Sequence, residues 1–211
     1  MSATRLVLVR HGETAWNVEG RIQGHLDIPL NEIGLAQAAA VGARLSGEHF
    51  DAIYSSDLIR AYRTASPVVA SPEIDIVRDE RLRERNLGVL QGLTGEEAIN
   101  AQPAAWKVFK SREPDLALAG GESLGGFSRR ILDFVEKILD EHAGRRILAV
   151  THGGALDAVY RHATSMPLSA PRDFTIYNAS VNVISVSGGR WTIESWGDIS
   201  HLPRELAMDD S

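Results

Sequence analysis

Short apolar runs alternate with longer amphipathic stretches along this chain, and this alternation constrains the fold more than any other feature. The runs are rich in β-branched residues and have the length of buried strands. They lie at residues 6–9, 51–54, 147–151 and 181–186, with weaker runs at 74–77 and 191–196. Strands that alternate with helices are typical of an α/β fold. We therefore expect a three-layer α/β/α architecture around a mostly parallel central sheet.

Four stretches have the periodicity of amphipathic helices, at residues 31–45, 56–70, 123–142 and 153–164. Asn31 is the predicted N-cap of the first, and Ser56 or Asp57 that of the second. Residues 86–122 fit this rhythm least well, because they mix glycine, proline and aromatic residues. We interpret the chain as a single domain, residues 1–211, with an insertion or lid at about residues 93–121.

Composition limits the possible classes of function. The 211 residues carry a net charge of -6 and include no cysteine. The acidic balance argues against a nucleic-acid or anionic-membrane partner. The lack of cysteine excludes disulfides and thiolate metal sites, and it agrees with a reducing compartment. Because neither a signal peptide nor a membrane-spanning stretch is predicted, we expect a cytoplasmic protein.

Chemically reactive side chains follow the ends of several predicted strands. Arg10 and His11 follow the first strand, and Arg60 lies in the helix after the second. Glu84 lies in "RDERLRER" after a weak strand, and His152 follows "ILAVT". Ligands bind beyond the carboxyl ends of the strands in an open α/β sheet. We therefore expect these groups to meet at one edge.

Such a set of groups suits a phosphate ester. Guanidinium groups match phosphate oxygens in pairs, and the glycines after His152, beginning with Gly153, let the backbone approach a ligand closely. A neutral imidazole can attack phosphorus, and cationic neighbours disfavour its protonation near pH 7. A carboxyl group beside a bound dianion can protonate the departing alkoxide.

A metal site built from two histidines and a glutamate is an alternative interpretation of the same residues. It is less attractive because the neighbouring arginines would repel a cation, and because no HxxxH or HxH pair occurs. The prediction is therefore a site without metal.

The stretch "LVRHGETAWNVEGRIQGHLDIPLNEIGLAQA" resembles the signature of the histidine phosphatase superfamily, which contains the cofactor-dependent phosphoglycerate mutases and related phosphatases. The similarity continues through "SSDLIRAYRTA", "RLRERNLGVLQG", "GGES" and "AVTHGG", in the expected order along most of the chain. The resemblance implies a phosphoglycerate mutase-like fold in which His11 is the nucleophile and Glu84 the proton donor. Arg10, Arg60 and His152 would then complete the phosphate pocket.

The loop after the first strand also matches this family. By the same resemblance, Asn17 and Gln23, with Gly24, line the phosphate pocket.

The resemblance leaves two reactions open, since both begin with a phosphohistidine. The stretch "ERNLGVLQG" is similar to the mutases. If this chain were a mutase, Arg85 could bind a substrate carboxylate, and 2,3-bisphosphoglycerate would act as primer. The short insertion and "GGES" resemble the phosphatase branch instead. We expect a metal-independent phosphatase, without a cofactor, for a small phosphorylated metabolite of the phosphosugar or phosphoglycerate type. A mutase and a non-catalytic phosphate-binding module are the alternatives, and family analogy suggests a homodimer.

Several residues have two interpretations. Glu13 is an alternative acid because it lies close to His11 in sequence. An aromatic and basic group in the insertion forms either a substrate lid or the packed face of a helix; it comprises Trp106, Lys107, Phe109 and Lys110. We expect the other histidines to be structural or surface side chains, with His25 the least certain because it follows the Gln23–Gly24 loop.

Overall fold

The structure is a computed structural model that describes residues 2–69 and 75–207. Its strands are β1 Thr4–Arg10, β2 Ala52–Ser55, β3 Ile76–Arg78, β4 Arg146–Thr151, β5 Val181–Ser187 and β6 Arg190–Asp198. They form one sheet in the order β3-β2-β4-β1-β5-β6. The first four in this order are parallel to one another, whereas β5 and β6 are antiparallel additions. The mostly parallel sheet is thus confirmed; residue 74 of the weak strand lies outside the described residues.

The helices are α1 Ala15–Val18, α2 Glu32–Leu45, α3 Ile59–Ala65, α4 Gly95–Ala101, α5 Pro103–Ser111, α6 Leu124–Glu141 and α7 Gly153–Thr164. Asn31 caps α2 as predicted, since its side chain accepts a hydrogen bond from the backbone N–H of Gly34.

The predicted start of α3 is wrong. Helix α3 begins at Ile59 after Leu58, which provides no side-chain cap. The Ser56 hydroxyl lies 2.8 Å from Nε2 of His152 and accepts from the backbone N–H of Leu58, one residue before the helix. The Asp57 carboxylate accepts from Arg83, and the backbone N–H of Ile59 donates instead to Oδ1 of Asp27 at 2.6 Å. Helix α3 also ends before its predicted limit, at a short 3₁₀ turn, Ser66–Val68, that contains Pro67. Residue 70, the predicted end, lies outside the described residues.

Two apolar layers enclose the sheet. Side chains alternate between the faces of a strand, so Leu6 and Leu8 of β1 pack into one cluster with residues of α6 and α7. Val7 and Val9 pack on the opposite face with residues of α2 and α3. This arrangement confirms the three-layer architecture, and it places the carboxyl ends of β1, β2 and β4 at one edge.

Helices α4 and α5 lie in the predicted insertion. A separate small core holds this segment to the loop before it, with Leu87, Leu90, Ala98 and Leu118 buried together. Trp106 and Phe109 pack against that core. No helix in the described part of the chain is long and apolar enough to cross a membrane.

Candidate active site

Two histidines lie side by side at the carboxyl edge of the sheet. His11 follows β1 and His152 follows β4, and these strands pair in parallel with Arg10 opposite Thr151. Because the strands are adjacent, the centroids of the two imidazole rings lie 5.1 Å apart. Both side chains are buried. The closeness of two residues that are far apart in sequence is a consequence of strand order.

The imidazole of His11 is oriented by its own loop. Its Nδ1 lies 2.7 Å from the backbone oxygen of Gly12, and because a carbonyl only accepts, Nδ1 must carry the proton. The lone pair is then on Nε2. Burial, with the charges of Arg60 and Arg10, holds the pKa of His11 well below its ordinary value. His11 is therefore a neutral imidazole at pH 7, as a nucleophile requires.

His152 is the N-cap residue of α7. Its Nε2 contacts the Ser56 hydroxyl, and its buried Nδ1 has no hydrogen-bond partner within residues 2–69 and 75–207. Burial, Arg60 and His11 lower the pKa of His152 well below its usual range. His152 is fully buried and is not among the residues that line the cleft beside His11.

Two buried guanidinium groups supply positive charge. Arg60 is fully buried and donates to the backbone oxygens of Leu26 and Gly24, each at 2.8 Å. Burial lowers the pKa of Arg60 to about 10, so it remains a cation at neutral pH. Arg10 is also buried and donates to the Ile176 carbonyl at 2.6 Å. Together they make this edge suitable for a dianion.

Glu84 lies at the N-terminus of α7. Its Oε2 accepts from the backbone N–H of Gly154 at 2.9 Å, and its Oε1 accepts from that of Arg85 at 2.7 Å. The Glu84 backbone oxygen lies 2.8 Å from Nε2 of His25. The carboxyl group is thus held in place by backbone groups, on the wall of the same cleft as His11.

The loop after β1 forms another wall. Asn17 lines the cleft, and its Oδ1 accepts from the backbone N–H of Thr14 at 3.1 Å. Gln23 is buried, and its Oε1 has no partner in the part of the chain that the structure describes. Gly24 has a φ of +53°, and a Cβ there would lie 2.1 Å from Oε1 of Gln91. A side chain at position 24 would therefore be strained by the backbone conformation and would displace the Gln91 amide.

These walls enclose a cleft of about 290 Å³. The predicted residues that line it are Arg10, His11, Asn17, Gln23, Gly24, Arg60, Glu84 and Gly153. Arg85 lines an adjoining cavity of about 330 Å³, and its Nε and Nη2 donate to the Glu122 carbonyl. We call the first cavity the inner chamber and the second the outer chamber.

Other candidate residues have structural partners. Arg83 pairs with Asp57, and Arg81 pairs with Asp79. The alternative acid, Glu13, is buried and accepts from Nδ2 of Asn31 at 2.7 Å. It does not line either chamber. In the described residues, no three or more histidine and acidic side chains come together in a way that could hold a metal ion.

Sequence reasoning missed Arg172 and Ile176, which both line the inner chamber. They lie in the irregular segment between α7 and β5. Neither belongs to a motif or follows a strand, so no pattern in the sequence indicated them.

The cleft brings His11, two buried arginines and Glu84 together at the carboxyl edge of the sheet, and comparison with known proteins identifies the class. The sequence matches the histidine phosphatase superfamily (branch 1) over residues 6–199. The chain belongs to this superfamily.

Several relatives are similar over nearly the whole chain. The chain is 45% identical to phosphoglycerate mutase-like protein 4 of Arabidopsis thaliana, covering 93% of this chain and 86% of that protein. It is 44% identical to the metal-independent phosphoserine phosphatase of the same plant, covering 94% and 83%. The solved structure of Bacillus stearothermophilus YhfR superimposes with a TM-score of 0.87 at 38% identity, covering 94% of this chain and 99% of that one.

Proposed function

We propose that this protein is a metal-independent phosphatase that hydrolyses small phosphomonoesters through a phosphohistidine on His11. The observation that carries the proposal is the geometry of His11. Its Nδ1 proton is held by Gly12, its Nε2 is left unprotonated, and two buried arginines lie beside it. An imidazole in this setting is a nucleophile with charge stabilisation already in place.

The first half of the reaction transfers the phosphoryl group to the enzyme. Nε2 of His11 forms a bond to phosphorus while the bond between phosphorus and the ester oxygen breaks. Glu84, in its acid form, gives its proton to the departing alkoxide, which leaves as an alcohol.

The second half restores the enzyme. A water molecule attacks the phosphohistidine, its proton passes to the Glu84 carboxylate, and the bond between Nε2 and phosphorus breaks to release inorganic phosphate. In both halves Arg10, Arg60 and His152 stabilise the charge on the phosphoryl oxygens. The remaining walls of the site are formed by the side chains of Asn17 and Gln23 and by the backbone at Gly24 and Gly153.

Transfer to water distinguishes this proposal from a mutase, in which a second hydroxyl of retained phosphoglycerate accepts the phosphoryl group. The similarity to a metal-independent phosphoserine phosphatase supports hydrolysis and makes phosphoserine the first substrate to test. We also propose a cytoplasmic location and a homodimer, neither of which enters the mechanism.

Turnover of p-nitrophenyl phosphate and of phosphoserine, with His11→Ala as the comparison variant, tests the proposal. The wild type should release phosphate in the presence of EDTA and form an acid-labile phosphoenzyme, and His11→Ala should do neither. Equal rates for the two proteins would refute the phosphohistidine. Isomerisation of 3-phosphoglycerate with added 2,3-bisphosphoglycerate, with little phosphate release, would identify a mutase instead.

A further inference from the structure

The two chambers of the cleft adjoin and share part of their walls. Five residues line both of them, namely Glu84, Leu87, Phe109, Gly154 and Arg172. His11 lines only the inner chamber. A phosphoryl group at His11 therefore leaves the alcohol portion of the ester to extend past Glu84 into the outer chamber.

The outer chamber is positively charged. Four basic side chains line it: Arg85, Lys110, Arg112 and Arg172. Besides Glu84, its acidic lining residue is Asp157, which is 4% exposed. Asp157 accepts from Arg161 at 2.8 Å, from Arg112 at 2.9 Å and from Arg172 at 3.1 Å, so it cannot neutralise a further cation.

Two of these basic groups already hold protein acceptors with two of their guanidinium nitrogens. Arg85 donates to the Glu122 carbonyl, and Arg112 donates to the Leu168 carbonyl at 2.8 Å as well as to Asp157. The Lys110 ammonium lies 5.6 Å from the centre of the Trp106 ring, and it offers a point charge rather than a planar pair of donors.

Arg172 differs from these groups. Its Nε is held by Asp157, but its two terminal nitrogens form no hydrogen bond to any residue in the ranges 2–69 and 75–207. The side chain is 42% exposed, and its guanidinium lies 6.0 Å from the Phe174 ring centre. A planar guanidinium anchored through Nε presents its terminal nitrogens as a donor pair, which matches a carboxylate.

We propose that Arg172 binds a second anionic group of the substrate, a carboxylate attached close to the phosphoester, and that Asp157 is the positioning residue that orients Arg172. The proposal rests on the proposed phosphatase function. Phosphorylated small carboxylic acids are the type of substrate that the name of a relative already indicates, and the new element is the residue pair that would recognise the carboxylate. The proposal assigns specificity to a pair of residues outside the family motifs that the sequence displays.

Two esters with the same ester and amine groups test this assignment. Phosphoserine has a carboxylate that phosphoethanolamine lacks. The wild type should have the higher kcat/KM for phosphoserine. In Arg172→Gln, kcat/KM for phosphoserine should fall by about 10- to 100-fold, as expected for a lost charge-assisted pair. Because Arg172 also lines the inner chamber, kcat/KM for phosphoethanolamine should fall too, but by a clearly smaller factor.

Two variants separate the role of Arg172 from general effects. Arg172→Lys keeps the charge without the paired donors, so it should recover only part of the selectivity. Arg190→Gln is the matched control, because Arg190 is exposed and lines neither chamber. It should keep the wild-type ratio of the two substrates.

If Asp157 positions Arg172, Asp157→Asn should raise KM for phosphoserine and so reduce the preference for phosphoserine over phosphoethanolamine. Circular dichroism should show that this variant remains folded. If Asp157→Asn does not fold, Phe174→Leu, which removes the ring beneath the Arg172 guanidinium, serves as the second variant and should weaken selectivity in the same direction.

Binding provides a readout that does not require turnover. Calorimetry of phosphoserine with His11→Ala should give an affinity about 10-fold or more above that of the doubly substituted His11→Ala/Arg172→Gln protein. Equal affinities, or equal losses of kcat/KM on both esters, would overturn the carboxylate subsite. Neither result would affect the phosphatase function, which depends on His11.

Discussion

The carboxylate of Glu84 occupies the space that a side chain on Gly154 would fill. A Cβ at position 154 would lie 2.1 Å from Oε1 of Glu84, while the backbone N–H of Gly154 donates to Oε2 at 2.9 Å. The sequence suggested that the glycines after His152 admit a ligand. At Gly154 the group that is admitted is the carboxyl group of the enzyme itself. The start of helix α7 thus positions the carboxyl group that we propose as the proton donor.

Gly154→Ala should impair catalysis more than stability. The added methyl group collides with the flexible end of Glu84. The Glu84 side chain can move aside at little cost to folding, but its carboxyl group then leaves its position on the cleft wall. We expect kcat to fall by about 100-fold, near the usual contribution of general acid catalysis, with a small change in melting temperature. The fall in kcat should be smaller for Gly153→Ala, because a Cβ at position 153 would approach Nε of Arg10 only to 3.5 Å. An unchanged kcat in Gly154→Ala would contradict this relationship.

Glu84→Gln should have an effect that depends on the leaving group. An amide preserves the size of the side chain but cannot donate a carboxylic proton. With phosphoserine, whose alkoxide needs a proton, kcat should fall by about 100-fold or more. With p-nitrophenyl phosphate, whose phenolate leaves unaided, the fall in the phosphoenzyme-forming step should be much smaller. Burst-phase kinetics on both esters measure that step, and equal losses would assign Glu84 a different role.

Arg130 should be essential for the position of the Glu84 loop. From α6 it donates to the backbone oxygens of Arg81 at 2.7 Å and Arg83 at 3.1 Å, and to that of Glu84 at 3.2 Å. Loss of one partner from such a group costs about 1–3 kcal/mol. Arg130→Gln should therefore lower the free energy of unfolding by about that amount, and lower kcat too.

Urea unfolding and steady-state kinetics measure these two effects. The exposed neighbour Arg129, as Arg129→Gln, is the control and should be near wild type in both. A stable Arg130→Gln protein with normal kcat would show that the loop holds its shape without this arginine.

Stability should fall as the solution is acidified below the ordinary histidine pKa. Burial lowers the pKa values of His11 and His152 in the folded state, whereas both titrate near about 6.5 in the unfolded chain. Below that pH the unfolded state binds more protons, so the stabilisation present above about 6.5 is lost as the pH falls toward the folded-state pKa values. Each histidine adds a slope of up to about 1.4 kcal/mol per pH unit.

Urea unfolding between pH 7 and pH 5 measures this slope. The doubly substituted His11→Gln/His152→Asn protein should have a shallower pH dependence than the wild type. His25 and His201 also have lowered pKa values because of burial, and they are retained in both proteins. Parallel curves would mean that the two site histidines do not carry the linkage.

Much of the fold follows from the residues themselves. The β-branched runs and the helical periodicities locate β1, β4, β5, α2, α6 and α7 to within a few residues, because these patterns reflect burial on one or both faces. Local chemistry was less informative where tertiary contacts compete. Ser56 looks like a helix cap, but its hydroxyl contacts His152, which is 96 positions away in the chain.

The family, the α/β class and the residues that follow the strand ends could all be predicted from the sequence, because motifs and periodicity are local properties of the chain. Which of these residues come into contact depends on how the strands and helices pack, and local patterns do not encode that. Parallel pairing of β1 with β4 brings His11 beside His152, and the packing of α6 on the loop before it holds Glu84 at the start of α7. Arg172 joins them from an irregular segment, where its position depends on a contact with Asp157 that no local pattern encodes.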